Sequence, residues 1–375
     1  MKKKIAIVDN SIGTTGAFLS IFNYVQYSSD RFNYTFFIPK DSTVNGRLEK
    51  GEIRYHRLPF LEISKSLYSL IRYPFVLFKN AQSFKRLTSS EEIDLVHIND
   101  FYNLVPILSK ALGAKYKLIT HVRFMPDRFP SLLQKIWINL HLRYSEKIIC
   151  VSDAVLKQLP KHDKIIRIYD HLPTKIGADQ AKPTNTKIKL LYLAHYMVGK
   201  GQDYAIKAFH KAYIEFKNME LKFVGGDMGL EKNSNFKKQL IQEVKNRGLE
   251  KAVSFHEETE DTQGEMRKAD IFLNFSESES FSMTTLEALN LGVPVIVSNS
   301  GGPAELFENE RSGLLVENRN IDKMAKAIVQ LATNDSLRDS FSKNGTKYVQ
   351  QKFSLKNSFD ELIKLYNKSF EHENL

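Results

Sequence analysis

The chain has 375 residues and a formal net charge of +11, and 42% of its residues are hydrophobic while 26% are charged. This length and composition predict a soluble globular protein of about two domains, and no apolar run approaches the roughly 18 residues that a membrane-spanning helix needs. Cys150 is the only cysteine, so an internal disulfide is excluded. A reducing compartment is predicted, with Cys150 as buried packing in a strand and not as a nucleophile.

Short apolar runs alternate with longer amphipathic runs through the first half of the chain. The run Ile5–Val8 follows three lysines, but Asp9 and Asn10 end it after four residues, so it predicts a buried strand and not a signal peptide. The strands predicted in this half are Ile5–Val8, Thr35–Ile38, Leu95–Ile98, Lys117–Thr120, Ile148–Val151 and Ile165–Tyr169. The helices predicted between them include Gly16–Tyr27, Tyr102–Leu112 and Asp153–Leu159. This alternation is typical of a parallel, doubly wound α/β sheet.

Two stretches of the first half, Ser64 to Leu87 and Arg128 to Arg143, combine basic residues with aromatic and aliphatic ones. Such helices suit the interface of an anionic membrane. They equally suit packing helices whose apolar faces are buried in the domain, and Pro74 would kink the first of them. The net positive charge is also consistent with a phosphorylated substrate, or with lysines that are simply solvated on helix surfaces. Nucleic acid is not predicted as a partner, because no zinc-finger, RNA-recognition or basic-zipper pattern is present.

The periodicity stops between Asp170 and Lys187, a stretch whose Pro, Gly, Asn, Thr and Lys content predicts a linker. The strands predicted beyond it are Lys189–Ala194, Lys222–Val224, Val253–Phe255, Ile271–Asn274 and Val293–Val297. The helices predicted there include Gln202–Glu215, Phe236–Arg247, Asp322–Thr333 and Leu355–Ser369. The prediction is one Rossmann-like domain at 1–175 and a second at 188–354, with the last helix, about 355–375, as a candidate to pack back onto the first. Since ligands bind at the carboxyl ends of the strands in such sheets, a cleft between the domains is the expected site.

The stretch from Asn274 to Leu306 holds the candidate chemistry. It predicts a strand end, a polar loop, a helix that begins near Met283 and another strand. Glu279 on the loop and Glu287 about one turn into the helix stand eight positions apart. Amides at a helix start suit a diphosphate, and carboxylates beside them can accept hydrogen bonds from sugar and ribose hydroxyls. Thr284 and Glu287 also fit a capping box, which is the structural alternative.

This stretch resembles the Glu-x7-Glu signature of the retaining GT-B glycosyltransferases of family four, the group 1 glycosyl transferases. The matching residues are Glu279, Phe281, Glu287, Ala288, Gly292, Pro294, Val295, Ile296, Gly301, Gly302 and Glu305. The resemblance implies that Glu279 acts at the donor sugar and that Glu287 holds the nucleotide ribose. The residues at the helix start that it places at the donor are Ser282, Met283 and Thr284. Ser280 and Ser282 replace two glycines that are usual there, which predicts a narrower pocket or a changed sugar preference.

A second match opens the C-terminal domain, where the family usually has Gly-Arg-x4-Lys-Gly and this chain reads A-H-x4-K-G from residue 194. The resemblance implies that Lys200 grips the donor diphosphate, which suits its point charge. His195 stands where arginine is usual, and it is only partly charged at neutral pH. The replacement predicts a weaker contact, compensation by another basic residue, or reduced activity. Residues 224–227 resemble the family's turn near the nucleotide, which adds Gly225 to the donor site.

The N-terminal half matches the family less closely. Residues 12–16, with Gly13 and Gly16, correspond to its glycine-rich loop, although tight turns need glycines in any protein. His121, at the end of a predicted strand, stands where the family commonly places a histidine facing the donor sugar; a purely structural histidine in the cleft wall is the alternative. Arg123 is a candidate to contact an anionic acceptor or a phosphate. Residues 169–173 depart from the family's usual Asn-Gly-Val-Asp turn.

The resemblance implies a retaining transferase that moves a sugar from a nucleotide-sugar donor to a saccharide or lipid-linked acceptor in bacterial surface-glycan biosynthesis. UDP and GDP donors are both open, and no further cofactor is expected. No metal is expected either, because the chain has no Asp-x-Asp motif and no His/Cys cluster with ligand spacing. The expected location is the cytoplasm, with a peripheral position on the inner face of the cell membrane left open. A catalytically weak homologue that binds or activates within a glycan-assembly complex is the alternative, motivated by His195, Ser280 and Ser282.

Overall fold

The computed structural model describes residues 2–60, 67–172 and 186–371. Most of the predicted linker, residues 173–185, and the beginning of the first basic stretch, residues 64–66, lie outside the described residues. Contacts divide the chain into two compact units. Unit 1 comprises the residues up to 170 together with those from 356 onward, and unit 2 comprises residues 171–355.

Unit 1 is built on a parallel sheet. Its strands, within the described residues, are β1 (Lys4–Val8), β2 (Asn33–Pro39), β3 (Arg54–Leu58), β4 (Leu95–Ile98), β5 (Lys117–Val122), β6 (Lys147–Cys150) and β7 (Ile165–Arg167). Its helices along the same stretch are α1 (Gly16–Ser28), α2 (Asn45–Lys50), α3 (Leu67–Ser90), α4 (Val105–Ala111), α5 (Ser131–Tyr144) and α6 (Asp153–Leu156). The strand order is β3-β2-β1-β4-β5-β6-β7, and every described pair is parallel.

Unit 2 repeats this plan. Its described strands are β8 (Ile188–Leu193), β9 (Met219–Val224), β10 (Val253–His256), β11 (Ile271–Asn274), β12 (Val295–Ser298) and β13 (Leu314–Val316), in the order β10-β9-β8-β11-β12-β13. Its described helices are α7 (Gln202–Glu215), α8 (Glu231–Asn246), α9 (Thr262–Arg267), α10 (Met283–Asn290), α11 (Ile321–Ala332) and α12 (Asp335–Lys352). The last helix, α13 (Leu355–Glu371), packs in unit 1, where the rings of Phe359 and Tyr366 lie 5.2 and 5.6 Å from the ring of Tyr24.

Both sheets have the doubly wound topology that the alternation of elements predicts. The chain order reverses between β1 and β4 in unit 1 and between β8 and β11 in unit 2. At such a switch point the loops that follow the two strands diverge to opposite faces of the sheet and leave a crevice at the carboxyl ends, which is where ligands bind in open α/β sheets. We therefore expect the functional side chains of unit 2 in the loops after β8 and β11.

The residue types account for the elements. The runs LVHI of β4 and VIVS of β12 are buried throughout, as central strands covered by helices on both faces must be. The hydroxyl of Thr15 accepts a hydrogen bond from the amide of Phe18 and so caps α1. Cys150 ends β6 fully buried, and burial raises the pKa of its thiol to about 12, which confirms its predicted role in packing.

The two basic, apolar stretches of the first half form α3 and α5, and each helix has both a buried and an exposed apolar side. Phe84 of α3 and Trp137 of α5 are buried, as the packing interpretation predicts. Phe75 of α3 and Leu132 of α5 are 71% and 68% exposed, which packing within unit 1 does not explain. Among the described helices, none has the combination of length and apolar character that crossing a bilayer requires.

Candidate active site

Lys200 and Glu279 meet at the switch point of unit 2. Lys200 lies in the loop after β8 and Glu279 in the loop after β11, and Nζ of the lysine is 2.9 and 3.1 Å from the two carboxylate oxygens. Gly201, the N-cap of α7, lies in the left-handed region with φ of 78°, and a Cβ on it would lie 2.0 Å from the carbonyl oxygen of Phe275. Only glycine allows the two loops to approach this closely. The pair keeps partial contact with solvent, so a ligand can reach both charges.

The loop that carries Glu279 is held by the loop after β12. The amide of Glu279 donates to the carbonyl of Ser300 at 3.0 Å, and its carbonyl accepts from the amide of Gly302 at 2.9 Å. A Cβ on Gly302 would lie 2.0 Å from the carbonyl oxygen of Ser280, so the glycine permits this contact as well. The backbone of Glu279 is therefore fixed on both sides, which positions its carboxylate next to Lys200.

Ser282 is the N-cap of α10 and has an unusual backbone conformation. Its φ is 84°, in the left-handed region that favours glycine, and this is one of the two positions where the family usually has glycine. The hydroxyl accepts hydrogen bonds from the amide of Thr285 at 3.3 Å and from Nδ2 of Asn274 at 3.0 Å. The helix begins at Met283, as predicted, and the first amides of the helix point out of its N-terminus.

Glu287 lies one turn into α10 and is half-buried. The alternative in which Thr284 and Glu287 form a capping box is wrong, because Ser282 is the cap and Glu287 is the fifth residue of the helix. Burial raises the pKa of the Glu287 carboxyl to about 7. No side chain in the described parts of the chain donates a hydrogen bond to it, so its oxygens are available to the hydroxyl groups of a ligand.

His195 and Gly225 lie where the loops after β8 and β9 touch. A Cβ on Gly225 would lie 2.0 Å from the carbonyl oxygen of Ala194. Nδ1 of His195 is buried without a hydrogen-bond partner in the described chain and is 3.9 Å from a carboxylate oxygen of Glu258. His195 thus lies in the same loop as Lys200. No described residue forms a hydrogen bond with its Nδ1.

His121 lies at the end of β5 in unit 1, within a chain of buried side chains. Its Nδ1 is 3.2 Å from Nε2 of His97, and Nδ1 of His97 is 2.5 Å from the hydroxyl of Tyr366 on α13. Nε2 of His121 is buried and has no partner among the described residues. Burial, reinforced by the charge of Arg123, lowers the pKa of His97 to about 3 and that of His121 well below its ordinary value, so both rings are neutral at pH 7.

Arg123 has a different role from the predicted one. It is only 7% exposed, its NH1 group lies 2.5 and 2.7 Å from the carboxylate oxygens of Asp170, and its Nε donates to Oδ1 of Asn99 at 2.6 Å. Ser20 on α1 donates a further hydrogen bond to Asp170 at 2.5 Å. The predicted contact with an anionic acceptor is therefore replaced by a buried ion pair that ties the end of β5 to Asp170, the last residue of the first segment of unit 1.

The glycine-rich loop after β1 is open. A Cβ on Gly13 would contact nothing within 4 Å, while Gly16 is the first residue of α1. Nothing within the described chain requires a glycine at position 13. Next to this loop, Asp9 accepts a hydrogen bond of 2.5 Å from Asn99 across the switch point of unit 1.

Sequence reasoning did not single out four residues that the fold brings to these clusters. They are His97, Asp170, Asn274 and Tyr366. The predicted residues divide between the units: Gly13, Gly16 and His121 belong to unit 1 and the others to unit 2. Within unit 2, the fold brings Lys200 and Glu279 into direct contact.

Known proteins resemble this chain in sequence and in fold. Residues 176–348 match the family model described as glycosyl transferases group 1. The chain is 25% identical over 366 residues to the N-acetylgalactosamine-N,N'-diacetylbacillosaminyl-diphospho-undecaprenol 4-alpha-N-acetylgalactosaminyltransferase of Campylobacter jejuni, covering 92% of this chain and 94% of that protein. It is 24% identical over 319 residues to the N-acetyl-alpha-D-glucosaminyl L-malate synthase of Bacillus anthracis, covering 80% and 81%. The solved structure of HepE from Anabaena in complex with UDP and glucose superposes with a TM-score of 0.82 at 20% identity, covering 97% of this chain and 99% of that one.

Proposed function

We propose that this protein, which belongs to the group 1 glycosyl transferases and has the GT-B fold, transfers a sugar from a nucleotide sugar to a saccharide or lipid-linked acceptor and retains the anomeric configuration. The observation that carries the proposal is the cluster at the switch point of unit 2. There Lys200 contacts Glu279, α10 begins at Met283, and Glu287 keeps an available carboxylate. A cation, helix-end amides and carboxylates at one switch point suit a sugar nucleoside diphosphate.

Each group in unit 2 has a role in donor binding. The ammonium of Lys200 and the amides of Met283 and Thr284 bind the diphosphate. Glu287 accepts hydrogen bonds from the ribose hydroxyls, and Glu279, held through its backbone by Ser300 and Gly302, faces the sugar. UDP and GDP both fit this set of contacts, because none of them involves the base.

The transfer itself needs one bond to break and one to form on the same face of the sugar. The bond between the anomeric carbon and the diphosphate oxygen breaks, and the diphosphate leaves with the electron pair. The oxygen of the acceptor hydroxyl then bonds to the anomeric carbon, and its proton passes to the departing diphosphate. Lys200 and the N-terminus of α10 stabilise the negative charge that develops on the diphosphate, so the proposal does not require a metal ion.

The proposed role of His121, which lies in unit 1, rests on the family resemblance. Its ring is neutral at pH 7, and its Nε2 has no partner among the described residues. A neutral imidazole in such a place donates a hydrogen bond to a sugar hydroxyl without adding a positive charge near the developing oxocarbenium ion. This supports a polar contact with the donor sugar over a purely structural role.

The acceptor belongs to the bacterial surface glycans and is saccharide-based or lipid-linked. The name of the Campylobacter jejuni relative states a diphospho-undecaprenol acceptor, and the alignment covers nearly the whole of both chains. The basic, apolar helices α3 and α5 agree with a protein that works at the cytoplasmic face of the cell membrane.

The proposal is tested by thermal-shift titration with UDP, GDP and a panel of their sugars, since a ligand of the folded state raises the midpoint by mass action. One base should shift the wild type, and Glu287→Ala and Lys200→Met should lose the shift. Glu361→Ala and Lys326→Met, at exposed helix positions, are the matched controls and should keep it. The absence of a shift with every nucleotide would contradict the donor site.

Assays of sugar transfer distinguish an active transferase from a catalytically weak homologue. With the nucleotide sugar that binds, NMR of the product should show the anomeric configuration of the donor, and the rate should be unchanged in EDTA. An inverted product would refute the retaining mechanism. Nucleotide binding without transfer to any glycan-lipid acceptor would instead favour the catalytically weak homologue.

A further inference from the structure

Unit 1 contains a partly open cavity of about 310 Å³. Tyr73, Val76 and Leu77 of α3 line one side, and Phe129 and Trp137 line the other. Its volume is at the lower end of the range of ligand pockets. The cavity is distinct from the Lys200–Glu279 cluster, which belongs to unit 2.

The lining of the cavity is mostly aromatic and aliphatic, and its polar members are three asparagines and two tyrosines. Phe129 is the centre of the lining, with its ring 4.9 Å from that of Trp137 and 5.4 Å from that of Phe124. No charged side chain of the described residues lines the cavity. The three asparagines each take part in a hydrogen bond, because Nδ2 of Asn103 donates to Oδ1 of Asn10 at 2.6 Å and Nδ2 of Asn80 donates to the carbonyl of Pro59 at 2.9 Å. Such a lining suits a hydrocarbon chain and offers little to a charged ligand.

The surface beside the cavity is apolar and basic. Phe75 and Ile71 of α3 and Leu132 of α5 are 71%, 61% and 68% exposed. Neither α3 nor α5 contains an acidic residue, although the chain has 43 of them. Lys79 and Lys135 are exposed on the same two helices. Two helices with exposed apolar side chains, basic residues and no acidic residue of their own match the chemistry of an anionic lipid surface.

We propose that α3 and α5 lie on an anionic membrane and that the aromatic cavity takes up the hydrocarbon chain of the lipid that carries the acceptor. This inference rests on the proposed function, because it identifies the acceptor as lipid-linked. Tyr73, Val76 and Leu77 contact the chain from the same helix that exposes Phe75 and Ile71 to the bilayer. The lipid thus passes from the membrane into unit 1 without exposing its chain to water.

Trp137 reports on the cavity directly, because it is the only tryptophan of the chain, lines the cavity and is 2% exposed. The full-length protein is titrated with vesicles of phosphatidylcholine and phosphatidylglycerol whose acyl chains are brominated. Bromine in the cavity should quench the emission of Trp137 at least twofold. Unbrominated vesicles are the control for binding alone, and brominated vesicles of pure phosphatidylcholine should quench much less.

Two sets of variants separate the surface from the cavity. Phe75→Ser with Leu132→Ser should reduce sedimentation with anionic vesicles about tenfold, whereas Ile214→Ser, which changes an exposed residue of α7 in unit 2, should not. Val76→Phe fills the cavity and should keep vesicle binding while losing most of the bromine quenching. Quenching that is absent in the wild type, or equally strong in Val76→Phe, would overturn the inference.

The nucleotide titration keeps this test independent of the donor site. If UDP or GDP still raises the midpoint while bromine quenching is absent, the cavity inference is wrong and the donor site stands. If quenching is present and no nucleotide binds, the lipid site stands and the proposed transferase activity is wrong.

Discussion

Nε2 of His97 lies 3.2 Å from Nδ1 of His121, and the partners of this Nδ1 decide which nitrogen of His121 carries its proton. Arg123 also approaches Nδ1 of His121, at 3.3 Å, and a guanidinium only donates hydrogen bonds. Nδ1 of His121 therefore accepts, and the proton is on Nε2. The tautomer of His97 follows from this assignment. Its Nε2 donates to His121, and its Nδ1 accepts from the Tyr366 hydroxyl at 2.5 Å. Helix α13, which closes the chain, thereby orients a residue at the end of β5.

The variant Tyr366→Phe should lower kcat about tenfold and leave KM for the donor nearly unchanged. Without the hydroxyl, Nδ1 of His97 loses its donor, and a lost hydrogen bond of about 1.4 kcal/mol corresponds to that factor. Steady-state kinetics measures both constants. Tyr24→Phe is the matched control, because Tyr24 packs against Tyr366 and its buried hydroxyl has no hydrogen-bond partner in the described chain. Equal losses in the two variants would mean that Tyr366 acts through packing alone.

Ser282 offers a test of backbone strain. Ser282→Ala keeps the φ of 84° but removes the cap and the bond to Asn274, so it should destabilise unit 2 by about 1–2 kcal/mol. Ser282→Gly loses the same contacts but relieves a left-handed strain of about 1 kcal/mol. The glycine variant should therefore be the more stable of the two in differential scanning calorimetry. The reverse order would show that position 282 carries no strain that glycine relieves, because both variants lose the same side-chain contacts.

The affinity for the nucleotide should depend on pH through Glu287. Burial raises the pKa of its carboxyl to about 7, and the ribose hydroxyls bind best to the ionised form. Below pH 7 binding must displace a proton, so the Kd should be about tenfold higher at pH 6 than at pH 8. Isothermal titration calorimetry across this range measures it. In Glu287→Gln the diphosphate of the ligand still titrates, but the part of the pH dependence of the Kd that comes from Glu287 should be lost. Identical pH profiles of the Kd in the wild type and the variant would exclude Glu287 as the cause.

The buried ion pair of Arg123 and Asp170 should be essential to unit 1. Arg123→Met leaves the Asp170 carboxylate buried without its cation and should cost about 3–5 kcal/mol. Urea denaturation followed by the fluorescence of Trp137, which lies in unit 1, measures this loss. Arg311→Met, at a 73% exposed side chain, is the control and should resemble the wild type. A small effect of Arg123→Met would show that water reaches Asp170.

The local sequence pattern was sufficient to predict the bounds of some strands and helices. The strands Leu95–Ile98 and Ile271–Asn274 and the helix Gln202–Glu215 have the predicted bounds, because their patterns of apolar and polar residues involve only neighbouring positions. The strand β3, of sequence RYHRL, was not predicted, since an edge strand carries polar residues that alternate weakly. Helix α12 was not predicted either, because it is largely polar and buries little.

The sequence by itself determined the two α/β halves, the start of α10 and the family signature, all of which depend on residues close together in the chain. Only the tertiary structure decided which distant residues touch. Lys200 and Glu279 are 79 positions apart, and His97 and Tyr366 are 269 apart. Such contacts depend on strand order and helix packing, which no local pattern encodes. For the same reason Arg123, which the sequence left open to an anionic ligand, was assigned to Asp170 by the fold alone.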